Sequence, residues 1–127
     1  KKGYKNLSIM SSIAYTEGFY YVPRIDKSII KKYKSDLIVL TGNLYGEVPS
    51  KILNTSEIQA EESLLWWHKE FGEDLYIEIM RHGQENENRA NKILVEFYLM
   101  YVVFLKVLMF RRLMPSCFYI QEKAKWM

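Results

Sequence analysis

The side chains best able to do chemistry follow two apolar runs of the sequence. Asn43 and Glu47 come after the run at residues 37–40, and His82 comes after residues 75–80. If both runs are parallel strands, their carboxyl ends meet and these three side chains share a rim. A hydrolytic metal centre needs at least three correctly placed ligands and an open position for water. We therefore predict no catalytic residue and no complete metal site, with Glu47 and His82 as the candidate ligands.

The sequence does not have the residue patterns of a phosphate-binding loop, a disulfide, a cysteine nucleophile or a zinc site. Gly42 and Gly46 do not have the spacing of a phosphate-binding loop. The single cysteine, Cys117, excludes an internal disulfide, and no histidine stands near it in the sequence to activate a thiolate. The chain has two histidines, too few for a conventional zinc site. We expect no cofactor for this chain.

Apolar residues at helical spacing predict the elements that must position the rim. The first predicted helix carries Leu7, Met10 and Ala14 and stops near Gly18, and a short second helix is capped by Asp26 and carries Ile29, Ile30 and Tyr33. A short third helix starts at Pro49, and a fourth covers about 56–71. The fifth follows the polar stretch 84–88 and carries Ala90, Leu94 and Phe97.

The helix over 56–71 has the clearest signals. Ser56 and Gln59 have the spacing of a capping box, and Gly72 supplies a stop. The neighbours Trp66, Trp67 and His68 are compatible with a stacking platform or a ligand site. We predict instead that the aromatic stripe belongs to the core, because its members recur on one helical face: Ala60, Leu64, Trp67 and Phe71.

Two strands are predicted between the helices. Residues 37–40 are continuously apolar, which is typical of a strand buried on both faces. In residues 75–80, Leu75, Ile77 and Ile79 share one face and Glu78 lies on the other. Strands separated by helices predict right-handed crossovers and a parallel sheet, an α/β fold. Two strands are too few for a sheet covered on both faces, so we expect further strands outside this chain.

Charge is unevenly distributed along the 127 residues. Residues 1–35 carry eight basic and two acidic side chains, residues 36–90 carry four and eleven, and residues 91–127 carry six and two, for a net charge of +3. The acidic middle argues against a nucleic-acid binder, whose affinity comes from neutralising phosphates. The basic run 31–34 falls where a helix should end. We predict a solvated end that complements the helix dipole, with a phosphate contact as the alternative.

The amino end has neither an initiator methionine nor the long apolar core of a secretion signal. We expect a cytoplasmic piece of a longer protein.

Five groups of residues occur in an order that resembles a known family. They are Gly3-Tyr4-Lys5-Asn6-Leu7 with Ser11-Ser12, Glu17-Gly18-Phe19-Tyr20-Tyr21, Pro23-Arg24-Ile25-Asp26, Leu40-Thr41-Gly42 with Gly46-Glu47-Val48-Pro49, and Ile77-Glu78-Ile79-Met80-Arg81-His82-Gly83. As an ordered set over residues 2–97, they resemble the polymerase-and-histidinol-phosphatase (PHP) domain of the bacterial DNA polymerase III alpha subunit.

The resemblance implies that residues 1–97 are the middle section of a distorted (β/α)₇ barrel with parallel strands. In the family, a divalent metal cluster (zinc, manganese or magnesium) is held by an early His-x-His, further Asp, His and Glu ligands, a Cys in a Ser-Gly-Cys turn, and a late Asp-x-His. The early ligands would precede Lys1, and the late pair is missing where it should follow. The Cys position corresponds to Asn43, a poorer metal ligand than a thiolate. His82 recurs in the family motif, but we do not carry it over as a ligand.

Residues 98–127 depart from the family pattern and form a divergent apolar tail. A reading-frame slip, a divergent strand and helix at the next barrel position, and a membrane segment are the three interpretations. We favour the first. The third is disfavoured because the run 97–110 is too short to span a bilayer and contains Lys106.

Three functions from different classes follow. The leading hypothesis is a fragment of a replicative DNA polymerase III alpha subunit, a DNA-directed DNA polymerase, with a scaffold or interaction role and no activity by itself. Its partners would be the remainder of the alpha subunit or replisome proteins, with DNA contacted only through the parent protein and no membrane partner. The alternatives are a standalone metal-dependent PHP-type phosphoesterase and a small membrane or nucleic-acid adaptor built around residues 98–127. Open edges of a partial barrel also predict self-association.

Overall fold

The computed structural model describes residues 1–103. Its elements, in chain order, are α1 (Lys2–Thr16), α2 (Lys27–Tyr33), β1 (Val39–Leu40), α3 (Glu47–Asn54), α4 (Glu57–Phe71), β2 (Leu75–Tyr76) and α5 (Glu85–Phe97). A 3₁₀ turn, Gly72–Asp74, precedes β2, and a π-helical turn, Tyr98–Val103, continues α5. The predictions made for Cys117, Lys106 and the rest of the tail beyond residue 103 lie outside the described residues.

Local sequence signals set several helix ends as predicted. Asp26 caps α2, where its side chain accepts a hydrogen bond from the Ile29 N–H at 2.9 Å. Ser56 caps α4 in the same way by accepting from the Gln59 N–H at 3.3 Å, which is one of the two hydrogen bonds of the predicted capping box. Gly72 follows α4 with φ of +55°, a backbone conformation that favours glycine. These caps satisfy backbone groups that the helices leave unpaired.

Two helices begin earlier than predicted. α3 starts at Glu47, and its first-turn bond runs from the Ser50 N–H to the Gly46 carbonyl at 2.9 Å. Pro49 is thus the third residue of the helix, still within the turn where no N–H is needed. α5 starts at Glu85, so the polar stretch 84–88 forms its beginning and does not precede it.

The two strands pair in parallel, which confirms the predicted sheet direction. Val39 lies opposite Leu75 and Leu40 opposite Tyr76. Within residues 1–103 the predicted burial of residues 37–40 on both faces is not observed, since Leu40 is 54% exposed and Ile38 is 67% exposed. The helices that supply the core contact the opposite side of the pair, where Leu75 is buried and Val39 is partly buried.

Both strands are shorter than predicted because side chains replace the ladder beyond Tyr76. The Thr41 N–H donates to the Tyr76 carbonyl at 3.0 Å. The next contact runs from the Glu78 N–H to the Thr41 hydroxyl at 2.9 Å. Further on, the Met80 carbonyl accepts from the Asn91 side chain at 2.7 Å. The run 75–80 is therefore held along its length but is β-strand only over Leu75–Tyr76.

The main core lies between α3, α4, α5 and the sheet. The predicted stripe of α4 is confirmed, since Ala60 and Leu64 are fully buried and Trp67 and Phe71 pack against the same cluster. The other buried members of the cluster are Val48, Ile52, Leu75, Ile93, Leu94 and Phe97. Tyr101 of the π-helical turn also packs on this core and hydrogen-bonds Glu61.

Helices α1 and α2 form a separate layer joined to α4 by lysines. Lys34 Nζ donates to the Glu70 carbonyl at 2.6 Å and to its Oε2 at 3.0 Å, and Lys31 Nζ lies 3.4 Å from Glu70 Oε1. The basic run therefore falls at a helix end, as predicted, but two of its lysines pair with a carboxylate. On α1, Met10 and Ala14 are buried, whereas Leu7 is 54% exposed.

In the part of the chain that the structure describes, no helix is long and apolar enough to cross a membrane.

Candidate functional site at the carboxyl end of the sheet

A cavity of about 210 Å³ opens at the carboxyl end of β1. The turn beneath it is tight, because a Cβ at Gly46 would lie only 2.1 Å from the Thr41 carbonyl oxygen. This close approach brings the first residue of α3, Glu47, back towards the strand end. Of the three predicted rim residues, Glu47 lines the cavity. The lining residues are Leu40, Thr41, Gly42, Gly46, Glu47, Val48, Trp67 and Leu75.

The Glu47 carboxylate accepts hydrogen bonds from three helices. Its Oε1 receives Lys27 Nζ at 2.9 Å, Lys51 Nζ at 3.0 Å and the Ser63 hydroxyl at 3.2 Å. Its Oε2 receives the indole N–H of Trp67 at 2.9 Å. Lys27 belongs to α2, Lys51 to α3, and the other two donors to α4. We call these five side chains the Glu47 cluster.

The cluster holds Glu47 in its charged form. Partial burial raises the pKa of Glu47, but hydrogen bonds from Lys27, Lys51 and Trp67 outweigh it and lower the pKa to about 2. Two ammonium groups thus neutralise one carboxylate beside the cavity. A divalent cation at Oε1 would lie next to both ammonium groups, and like-charge repulsion opposes its binding there.

The tryptophans support the cluster and do not form an open stacking platform. Trp66 and Trp67 meet edge to face with ring centroids 4.8 Å apart. The ammonium group of Lys27 lies 4.5 Å from the Trp66 ring centroid, and that of Lys31 lies 5.8 Å from it. His68 Nδ1 is buried and has no hydrogen-bond partner within the described residues. Lys27 therefore joins α2 to α4 through the Trp66 ring and to α3 through the Glu47 carboxylate.

His82 makes its contacts with the start of α5. Its Nδ1 lies 2.7 Å from Glu87 Oε1, and its backbone N–H donates to Glu87 Oε2 at 2.7 Å. The Gln84 N–H donates to the same oxygen at 3.4 Å. The hydrogen bond from the His82 imidazole outweighs burial and lowers the pKa of Glu87. Glu87 is 3% exposed, so this pair fixes the turn between β2 and α5.

Asn43 shapes its own turn. Its Oδ1 accepts from the Tyr45 N–H at 2.9 Å, and its carbonyl accepts from the Gly46 N–H at 2.8 Å. Asn43, Glu47 and His82 thus have separate sets of hydrogen-bond partners. Among residues 1–103, no three His, Cys, Asp or Glu side chains form a group that could hold a metal ion.

Sequence reasoning missed most partners in these contacts. The Glu47–Lys51 ion pair could have been predicted, because charged residues four positions apart on a helix lie on the same face. The hydrogen bond between Gln84 and Glu87 could have been predicted as well, because their spacing is that of a capping box. No local signal links Lys27 to Glu47 or assigns the Trp67 N–H to that carboxylate, since each lies twenty residues from Glu47.

Comparison with known proteins places this sequence in a family. The PHP domain family matches residues 1–82. DNA polymerase III subunit alpha of Borreliella burgdorferi is 43% identical over 95 residues, 75% of this chain and 8% of that protein. The alpha subunit of Aquifex aeolicus is 43% identical to this chain over 96 residues, 75% of this chain and 8% of that protein. That of Chlamydia trachomatis is 42% identical over 90 residues, 71% of this chain and 7% of that protein.

The chain spans less than a tenth of the length of these curated relatives. The family match nevertheless covers more than half of the chain, and it names the family that the sequence resembles. The chain belongs to the PHP domain family and matches the PHP region of DNA polymerase III alpha subunits.

Proposed function

We propose that this chain is a scaffold or interaction part of a DNA polymerase III alpha subunit and does no metal-dependent chemistry by itself. The observation that carries the proposal is the Glu47 cluster. The carboxylate nearest the cavity is already neutralised by Lys27 and Lys51 and hydrogen-bonded by Trp67. Its contacts join α2, α3 and α4, which is what a structural carboxylate does.

The residues at the rim do not fit the divalent metal cluster that the family resemblance implies. Asn43 uses its Oδ1 within its own turn, and two ammonium groups hydrogen-bond Glu47. His82 would be a single remaining ligand, fewer than the three that a hydrolytic metal centre needs. An amide oxygen also binds soft or borderline metals less well than the thiolate expected at that position. We therefore derive no reaction step through a metal at these residues.

As a scaffold, the chain would form part of a larger barrel. Residues 1–97 would be the middle section of a distorted (β/α)₇ barrel, with 98–127 as a separate tail. Exposed apolar side chains at the first strand support this, notably Leu40 and, just before the strand, Ile38. So does a groove of about 310 Å³ that β2 and α5 line together. Further strands would cover these surfaces, and the remainder of the alpha subunit would supply them.

Nucleotide transfer and DNA contact would then be properties of the whole alpha subunit. The role implies a cytoplasmic location.

A chimaera tests the scaffold role. The 96 matching residues of the Aquifex aeolicus alpha subunit are replaced by the corresponding residues of this chain, and primer extension is measured. We expect a soluble protein that extends primers at a rate close to the parent's, because the structural contacts are equivalent. An insoluble or inactive chimaera, beside an active one carrying the Borreliella burgdorferi segment, would contradict the proposal.

A standalone phosphoesterase is the second candidate, and the cavity beside Glu47 favours it. The purified chain is equilibrated with Zn²⁺ or Mn²⁺ and its metal content and hydrolysis of p-nitrophenyl phosphate are measured. We expect less than one ion per chain and no hydrolysis above that of the metal alone. Stoichiometric metal that is lost in Glu47→Gln but kept in Glu62→Gln, an exposed carboxyl on α4, would favour the phosphoesterase.

A further inference from the structure

The last residues of α1 and the segment that follows them form an ordered loop that displays aromatic rings. We call residues 15–25 the aromatic loop. The Arg24 N–H donates to the Gly18 carbonyl at 3.2 Å and closes it, and the Tyr20 N–H donates to the Val22 carbonyl at 3.1 Å within it. A Cβ at Gly18 would lie 2.0 Å from the Arg24 carbonyl oxygen, so the closure requires glycine. A loop already closed in this way loses little conformational entropy on docking.

Four rings on this loop are mostly exposed. Tyr15, Phe19, Tyr20 and Tyr21 have exposed fractions between 57% and 82%. They are arranged in contacting pairs: Tyr15 with Phe19 at 6.4 Å between centroids, and Tyr20 edge to face with Tyr21 at 4.7 Å. Contiguous exposed apolar patches of several hundred Å² on soluble proteins mark interaction sites.

The loop tip is held in an unfavourable backbone conformation. Tyr21 has φ of +59°, in the left-handed region that residues other than glycine rarely adopt. Such positions are energetically unfavourable and concentrate at binding sites. Here the conformation presents the most exposed of the four rings, at 82%.

The charge of the loop favours a protein partner over a nucleic acid. Within residues 15–25 the only charged side chains are Glu17 and Arg24, so the loop is neutral. A polyanion needs unopposed positive charge. A second copy of the loop needs opposite charges that can exchange partners across a two-fold axis, and Glu17 and Arg24 provide them. Arg24 also lies 5.2 Å from the Tyr20 ring centroid, so it is already oriented on the aromatic surface.

The exposed area matches what a weak dimer needs. With roughly 200 Å² for each aromatic side chain, the four rings expose about 500 Å² per chain. Two loops face to face would bury about 1,000 Å², the lower bound for a specific protein interface. We propose that the aromatic loop is a self-association surface, through which two copies of this chain form a two-fold dimer by packing all four rings (Tyr15, Phe19, Tyr20 and Tyr21) against the same residues of the second copy.

Sedimentation velocity over a wide concentration range tests this on the full 127-residue chain. We expect a reversible dimer whose Kd rises about tenfold or more in Tyr20→Ser, because the ring is lost from both sides of the interface. The matched control is Tyr45→Ser, since Tyr45 is 93% exposed but lies outside the loop. Its Kd should stay within about twofold of the parent's, and far-UV circular dichroism should be the same for all variants.

A second measurement uses the tyrosines themselves. Photo-oxidative dityrosine coupling should yield a covalent dimer in the parent chain, and the Tyr20→Phe, Tyr21→Phe double variant should lose most of it while still sedimenting as a dimer. Each of three results would overturn the proposal. One is a parent chain that is monomeric throughout. Another is a dimer weakened by Ile79→Ser, in the groove between β2 and α5, but not by Tyr20→Ser. The third is a monomer that binds oligothymidylate through Tyr20.

Discussion

Replacing Glu47 by glutamine isolates the charge at the centre of the Glu47 cluster. The substitution keeps the size of the side chain but removes the negative charge that faces Lys27 and Lys51. A carboxyl pKa lowered from 4.5 to about 2 corresponds to about 3 kcal/mol of stability without screening. The side chains of Lys27 and Lys51 are 42% and 33% exposed, so solvent screening reduces this to about 1–2 kcal/mol.

The pH dependence follows from the direction of the shift. Because the folded pKa of Glu47 lies below that of an unfolded glutamate, its contribution is fully present above about pH 4.3 and is lost as the pH falls towards 2. Urea unfolding of the full chain should therefore show Glu47→Gln less stable than the parent by about 1–2 kcal/mol at pH 7. The gap should narrow steadily below pH 4.

The control is Glu62→Gln, which removes an exposed carboxyl from α4. It should change the free energy of unfolding by less than about 0.5 kcal/mol at any pH. The reasoning is refuted if Glu47→Gln behaves like this control at pH 7. It is equally refuted if the loss caused by Glu47→Gln is as large at pH 2.5 as at pH 7.

Three other substitutions test contacts elsewhere. Ser56→Ala removes the cap of α4 and should lower the free energy of unfolding by about 1 kcal/mol in urea titrations; an unchanged midpoint would contradict the capping role. Leu64→Ala empties a fully buried position and should cost about 2–5 kcal/mol by the same assay, whereas a cost below about 1 kcal/mol would mean that Leu64 is not in the core. Glu87→Gln should speed amide exchange at His82 and Gln84 at neutral pH, and equal exchange rates at pH 7 would disprove the turn contact. Because the pKa of Glu87 is lowered, the difference from the parent should persist into mild acid and shrink only where Glu87 itself becomes protonated.

Helix α4 could be predicted almost completely because its signals are local. Ser56 caps one end, Gly72 stops the other, and the stripe between them includes the buried Ala60 and Leu64. Each signal depends on residues within a few positions of one another. Tertiary contacts changed none of them.

The strands were overestimated because their burial depends on distant residues. The apolar run 37–40 has the composition of a strand covered on both sides, yet Leu40 is more than half exposed. What covers a sheet face is decided by elements far away in the chain. The lengths failed for a related reason, since the hydrogen bond from the Glu78 N–H goes to the Thr41 side chain and not to a neighbouring strand.

The candidate site was only partly predictable. The position of Glu47 after the first strand was clear, and it does line a cavity at that strand's end. Its partners Lys27 and Trp67 come from helices on either side in the sequence, and only the tertiary fold brings both to one carboxylate. Trp67 was assigned to the core correctly, but hydrophobic periodicity carries no information about the direction of its N–H.

The most direct test of the central claim is the titration of the Glu47 side-chain carboxyl carbon by ¹³C NMR, with and without Zn²⁺. If Lys27 and Lys51 neutralise this carboxylate, its pKa will be near 2 and Zn²⁺ will not move its resonance. A pKa near 4.5, or a resonance that shifts on adding stoichiometric Zn²⁺, would contradict a structural role for Glu47 at the carboxyl end of the sheet.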